Sequence, residues 1–457
     1  MVYALLLWPF LSAPVIRAQE DPANLPDAPQ LQAQMQKLDP ASDAPPSPVN
    51  ESLTREQAEQ LALKNNPRIS VTALLALAQK QVVRETRSEL LPALNGNLTG
   101  VDAAEGSRIS AGSLTASRLL YHAGAGLDLS QLITDFGHTQ NLVASSKLQA
   151  KASEQNAQAT REDIVLAADL AFYNALEAQA TLEIAKSTVK ARQAVGEQVD
   201  ALTANNLKST LDQSFAQVNL SQARLLDLDS QNQLDAAVAN LNEVLGTSSD
   251  HNYHLVDDVS LAPPAAASAE AVITLALQQR PDLLALKLNH EADVHFSRAQ
   301  HELLLPTISG LGIVGVTPVG SSTYFTQNWY GAAGVNVSVP IFNGFKFHAE
   351  ATEAGLHAQA SDEQSRVLAD RIVRDVRRAW LTANTAQQRM SVTAELVKEA
   401  NTALDLADTR YRLGLSSIVE LSQAQLQQTQ AQIADANARF EYEADLAALR
   451  FQSGSQP

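Results

Sequence analysis

The chain has no cysteine among its 457 residues. That removes disulfide frameworks, thiolate metal sites, cysteine nucleophiles and a lipidated N-terminal cysteine. Basic residues are few: 33 Lys plus Arg stand against 50 Asp plus Glu, a net charge of −17. A surface of that sign repels a phosphate backbone, so no nucleic-acid partner is expected. Aromatics make up only 5%, with 19 Gly and 18 Pro, which is lean for the two or three globular domains that the length alone suggests. No stretch approaches the roughly 18 uninterrupted apolar residues of a membrane helix, so membrane contact falls to strands or surfaces. Ala and Leu are abundant instead and supply most of the 45% hydrophobic fraction, pointing to helices packed closely side by side.

The N-terminal segment reads as processing. Residues 4–16 form a mostly apolar run broken by Pro9 and Pro14 and followed by Arg17 and Ala18. This predicts a signal peptide over 1–18, although the run lacks a basic segment before it, and a buried N-terminal segment is the alternative. Residues 19–51 carry seven prolines between Pro22 and Pro48, the composition of an extended linker.

Beyond residue 51 the chain is written twice. Asn66 and Pro67 match Arg280 and Pro281, and Glu89 to Pro92 match Glu302 to Pro306 with one Leu extra, at an offset of 214 residues. Residues 126–135 match 334–343, and Asp212 matches Glu420, at an offset of 208. Six residues are therefore lost in one interval, as expected of a loop. The reading is a first repeat over 52–250, a linker over 251–267 with Pro263 and Pro264, and a second repeat over 268–457. Each opens with a short capped helix near Thr54 or Ser268.

Each repeat holds two kinds of structure. Ile372, Val376, Ala379, Ala383, Ala386, Met390, Thr393, Val397, Ala400, Leu404, Ala407 and Tyr411 recur at alternating four and three, a heptad seam with one polar position. The first repeat copies it from Ile164 to Val189. A helix over 345–412 would reach about 100 Å, longer than a soluble domain needs. Between the prolines and these rods lie period-two stretches: residues 119–130 and 335–339 alternate apolar with small or polar residues, and partner strands precede them at Ala93–Val101 and Thr307–Val316. Each repeat thus offers one hairpin. Trp329 and Tyr330 stand near a strand start and suit either a membrane girdle or ordinary strand positions.

Apolar-out, polar-in strands suit a transmembrane barrel, but four cannot close one. A cyclic oligomer would close the barrel and bury the alanine seams of the rods against neighbours. A soluble four-stranded sheet on a coiled coil leaves two apolar hairpin faces unexplained.

The run Arg280, Pro281, Asp282, Leu283 through Leu303, Leu304, Leu305, Pro306, then Val339, Pro340, Ile341, Phe342, Asn343, Gly344, then Arg410, Tyr411, Arg412, Leu413, Gly414 closely resembles the TolC-like outer membrane efflux protein family, over residues 52–455. The resemblance implies an α+β membrane protein, mostly α: a homotrimer with a twelve-stranded barrel in outer membrane lipid and a helical barrel crossing the periplasm. It also implies a passive exit duct that serves an inner membrane transporter through a periplasmic adaptor, with no cofactor and no catalysis. The competing class is a soluble periplasmic coiled-coil scaffold or adaptor.

By the same resemblance the pore closes at the helical tips. Glu420 takes the position of an acidic ring there, Asp212 its counterpart in the first repeat, and Gln423 and Ser416 stand where relatives often carry a second acid and a basic lock. Tyr411 and Asp212 are candidates for a hydrogen-bonded latch. Gly414, Leu415, Asn206 and Leu207 are candidate adaptor contacts. Ser417–Glu420 and Ser209–Asp212 also fit capping boxes, and a capped carboxylate can still face a lumen.

Two other patterns are declined. Gly310, Gly312 and Gly315 spell GxGxxG, but inside a predicted strand rather than before a helix. His290, His295 and His301 are spaced five and six apart, which does not stack them on one helical face, so no zinc site is expected.

Overall fold

The computed structural model describes residues 51–101, 108–109, 117–118, 122–247, 253–257, 268–316 and 329–454, all within one unit, Pro48–Pro457. The expected signal peptide, almost all of the Pro-rich linker and the alternating residues 119–121 lie outside them.

The first half runs β1 (Glu51–Leu53), α1 (Arg55–Asn65), α2 (Pro67–Ser88), β2 (Ala93–Val101), the short pair β3 (Arg108–Ile109) and β4 (Ser117–Arg118), β5 (His122–Thr134), α3 (His138–Ala204) and α4 (Thr210–Leu245). After β6 (Tyr253–Leu255), the second half gives α5 (Ala269–Gln279), α6 (Pro281–Glu302), β7 (Thr307–Val316), β8 (Trp329–Ser338), α7 (Lys346–Arg412) and α8 (Ile418–Ser453). The segment read as a bare linker therefore carries a strand: β6 pairs in parallel with β1, Leu53 and Leu255 are buried, and the Gln179 amide holds the Leu255 carbonyl at 3.2 Å.

Local sequence explains the helix starts. Thr54 and Gln57 close a capping box on α1, the Asn66 carboxamide caps α2 with Pro67 in its first turn, and the Ser268 hydroxyl accepts the Glu270 N–H on α5. Side chains satisfy amides that a helix start leaves without partners. The rods α3 and α7 have 67 residues each, about 100 Å of helix. The seam expected on α7 is buried at Ile372, Val376, Ala383, Ala386, Ala400, Ala407 and Tyr411, and Thr393 hands its hydroxyl to Asp435 at 2.9 Å. None of the helices among the described residues is long and apolar enough to cross a membrane.

The four long strands form one antiparallel sheet in the order β2-β5-β7-β8, and β3 and β4 pair separately. The register puts Leu94, Leu98, Leu127, Leu129, Val314, Val316, Val335, Val337 and Trp329 on one face; Asn95, Asn97, Asp128, Ser130, Ser309, Asn336 and Tyr330 lie on the other, together with Leu132, Leu311 and Ile313. Both Asn95 (2.9 Å) and Asn97 donate amides to the Asp128 carboxylate. The two candidate girdle aromatics part company: Trp329 is exposed on the apolar face, while Tyr330 lies across Gly126 and Gly315, where an added Cβ would come within 2.9 and 2.5 Å of its hydroxyl. The three glycines of the declined motif all sit inside β7.

Sheet and rods meet at a fixed corner. Asp135 accepts N–H groups of Gly137 (3.2 Å) and Thr139 (2.7 Å); burial pushes this carboxyl upward, but the Thr139 and Gly137 hydrogen bonds outweigh it and hold it below the ordinary range. Gly137, at φ +116°, leaves room for the Glu302 carboxylate, which takes the Asn141 amide at 2.9 and 3.0 Å. The histidines serve such joints: His295 Nδ1 bonds Asn141 at 2.9 Å and His290 Nδ1 meets the Ala358 carbonyl at 3.0 Å.

Candidate functional site

At the end of the rods remote from the sheet, two turns lie side by side. The first joins α3 to α4. Asn206 adopts a left-handed conformation (φ +54°), the Leu207 N–H returns to the Leu202 carbonyl at 2.9 Å, and the Leu207 side chain is exposed. Ser209 and Asp212 complete a two-way capping box: the Ser209 hydroxyl accepts the Asp212 N–H at 3.2 Å, and Asp212 Oδ2 accepts both the Ser209 N–H (3.2 Å) and its hydroxyl (2.9 Å). The carboxylate is thereby engaged in its own turn.

The second turn joins α7 to α8. Gly414 supplies φ +72°, a conformation that costs a side-chain-bearing residue strain, and the Leu415 N–H reaches the Arg410 carbonyl at 2.8 Å. Leu415 is exposed like Leu207. Here the box is half made. The Ser417 hydroxyl accepts the Glu420 N–H at 3.4 Å, but the Glu420 carboxylate turns across the hairpin to Arg410 Nε at 3.0 Å. Gln423 is exposed on the same helix.

Between the turns Val199, Ala216, Tyr411, Ile418 and Leu421 make a small apolar cluster, flanked by an Asn219–Ser422 hydrogen bond of 2.6 Å. Tyr411 is 3% exposed. Burial raises its hydroxyl pKa, and the nearby Asp212 charge raises it further. Among the described residues that hydroxyl has no hydrogen-bond partner, and the Ser416 hydroxyl is buried without one too. Tyr411 and Asp212 are thus neighbours without a hydrogen bond, and what meets the Tyr411 ring is the Lys208 ammonium, 4.3 Å from its centroid.

Lys208 and Arg410 are the residues that sequence reasoning missed. A signal was available. In an antiparallel helical hairpin the numbers of facing residues keep a nearly constant sum, and Arg410 and Glu420 lie about equally far from the turn centred on Leu415. A second charged cluster gave no signal at all. Arg55 on α1 bridges Glu59 and, at 3.7 Å, the buried Asp169 of α3. Burial, then the Glu59 hydrogen bond and charge, push Asp169 up to about 7, against the opposing pull of Arg55. No group of His, Asp and Glu able to hold a metal occurs among the described residues.

The chain matches the family described as outer membrane efflux protein over residues 59–247 and 272–455. It is similar to Outer membrane protein TolC of Escherichia coli, 23% identical across 84% of this chain and 79% of the relative. It is also similar to Outer membrane protein OprJ of Pseudomonas aeruginosa, 24% identical across 80% and 76%. Among solved structures, the Campylobacter jejuni CmeC outer membrane channel superposes with TM-score 0.77 at 18% identity, covering 88% of this chain and 85% of that one. Vibrio cholerae outer membrane protein VceC gives 0.75 at 18% identity, covering 88% and 96%.

Proposed function

Since the chain belongs to the outer membrane efflux protein family, we propose that it is one third of a passive outer membrane exit duct, with three copies closing a twelve-stranded barrel above a helical tube. The observation that carries this reading is the sheet: one face apolar, the other largely small or polar, and β2 and β8 left as edges. Unpaired backbone cannot face lipid, so such a sheet must close on copies of itself. Strands of about 10 residues at roughly 3.3 Å each, tilted by about 40°, span about 25 Å of apolar membrane.

The internal repeat supports a definite seam. β8 occupies in the second half the place of β5 in the first, and β2 the place of β7. The pairing of Leu129 with Gly312 and of Asp128 with Ile313 therefore translates, through the offsets of 208 and 214, into Val337 opposite Leu98 and Asn336 opposite Thr99 of the next copy. Both pairs keep their faces, the first toward lipid and the second toward the lumen.

At the other end the tips form the constriction. The duct has no chemistry of its own to perform; energy and cargo choice come from an inner membrane transporter, recruited through adaptor hairpins that dock on the exposed turns at Leu207, Leu415, Asn206 and Gly414. Glu420 faces the constriction together with Arg410, so the ring is a set of ion pairs rather than bare acids, which moderates its pull on cations. Planar-bilayer recordings of the purified protein test this. Wild type is expected to conduct; Glu420→Gln, which strands Arg410, should move ion preference toward anions, and Arg410→Gln toward cations. Absence of conductance, with recovery of the protein in the soluble periplasm, would overturn the duct and favour a scaffold.

A further inference from the structure

Charge is spread very unevenly over the sheet. From Leu303 to Phe345 the chain has no Asp, Glu, Lys, Arg or His, so β7, β8 and the residues that join them carry no fixed charge. β2 carries none either, and β5 holds only His122, at its loop end, and Asp128. Asp128 stands at the middle of the 13-residue β5, where a charged side chain turned to lipid would be costly. It lies instead on the face of Asn95 and Asn97, whose amides both donate to its carboxylate from β2, and it is only partly buried. The internal repeat puts Asn336 at the matching place in the second half, at the offset of 208. One half thus keeps an acid at this level, and the other has its uncharged isostere.

We propose that Asp128 sets the charge preference of the membrane-embedded lumen: three copies of it, alternating with three of Asn336, form a ring that favours cationic solutes over anionic ones. The inference rests on the duct reading, because only a closed barrel brings the three carboxylates round one axis. A wall of twelve strands about 4.8 Å apart, tilted by about 40°, has a radius of roughly 12 Å. Each carboxylate then stands about one Debye length from the axis at 0.1 M salt. No Lys or Arg lies on these four strands, so the three charges add without local compensation. A hydrogen-bond tie between β2 and β5 needs only an acceptor, which a carboxamide also offers; the charge acts on what passes. Every cargo meets this ring, whatever the transporter selects, and amine-bearing or metal cations gain where carboxylates and sulfonates lose.

The cysteine-free chain allows the potential at this level to be read chemically, without any current. Ser130→Cys places a thiol on the same face two residues from Asp128, and outer membranes carrying it are treated with a trimethylammonium methanethiosulfonate or, separately, a sulfonate one. The ratio of cationic to anionic labelling rates at 0.1 M salt should fall by roughly 3- to 5-fold when Asp128→Asn is added, the change that three carboxylates, the nearest about 7 Å away, produce in water. Asp128→Glu should keep the ratio and Asn336→Asp should raise it. Glu420→Gln, at the far tip, should leave it unchanged. A ratio indifferent to Asp128→Asn while Ser130→Cys is labelled overturns the ring and leaves the duct standing, as does a ratio that Glu420→Gln lowers equally. Labelling of Leu129→Cys with Ser130→Cys silent reverses the faces of the sheet and overturns both readings.

Discussion

The two halves of the chain share one plan and fill it with different chemistry, and equivalent positions show what each choice does. In the second half Thr393 gives its hydroxyl to Asp435. In the first half the carboxylate is kept as Asp227, but the donor's place is taken by Ala185, and Asp227 Oδ1 is buried without a partner among the described residues. Two turns further down, the second half has Ala400 where the first has Arg192, whose guanidinium is buried, leaves Nη1 unbonded among the described residues and is drawn down by burial to about 10. Where α1 meets α3, a cation on the short helix approaches a buried acid on the rod, Arg55 to Asp169 at 3.7 Å. Where α5 meets α7, the signs are reversed and the pair is exposed, Glu270 to Arg377 at 2.5 Å. The second half therefore carries polar groups that are paired or wet at these positions, while the first buries groups it does not fully satisfy. Backbone and seam tolerate both, because Ala-rich helix packing fixes the spacing and polar pairing is added afterwards.

That contrast can be broken by substitution. The largest effect is expected at Asp169. Its carboxyl holds a proton up to about pH 7 in the folded chain but only to about 3.9 when unfolded. Its contribution is therefore complete below the unfolded value and lost as pH rises through 7. Asp169→Asn should match wild type near pH 4 and exceed it in thermal midpoint at pH 8, followed by circular dichroism in detergent, whereas Arg377→Gln in the other half should cost only about 0–1 kcal/mol at any pH. Arg192→Met keeps the volume and removes a buried, unpaired charge, so it should stabilise by about 1–3 kcal/mol in denaturant melts. Ala185→Thr copies the second half into the first; by giving Asp227 a donor it should add about 1 kcal/mol, a gain that Asp227→Ala in the same background should abolish.

Much of this architecture could be read from residues alone. The bounds of β2 and β7 were legible as partner strands that follow Pro92 and Pro306 and precede the period-two runs, and the rods in their alanine seams, because burial on one face imposes its period on the sequence. The tips were placed by the family resemblance, and the serine–acid pairs there were legible as capping boxes. What the sequence did not disclose were partnerships. Ser209–Asp212 and Ser417–Glu420 read identically as capping boxes, and only the presence of Arg410 across the second turn diverts Glu420. Lys208 over Tyr411 joins residues about 200 positions apart, where no spacing rule applies. The three-residue strands β1 and β6 are too short to have a period, and the pairing of Arg55 with Asp169 follows from where α1 docks, which propensity does not determine.

The central claim, that copies of this chain close a barrel edge to edge, is tested most directly at the seam. With no native cysteine to interfere, Val337→Cys combined with Leu98→Cys should yield a covalent trimer on denaturing gels after mild oxidation of outer membranes. Asn336→Cys with Leu98→Cys, whose thiols lie on opposite faces, should not. A chain that stays monomeric with the first pair, or cross-links equally well with both, would contradict the closed barrel.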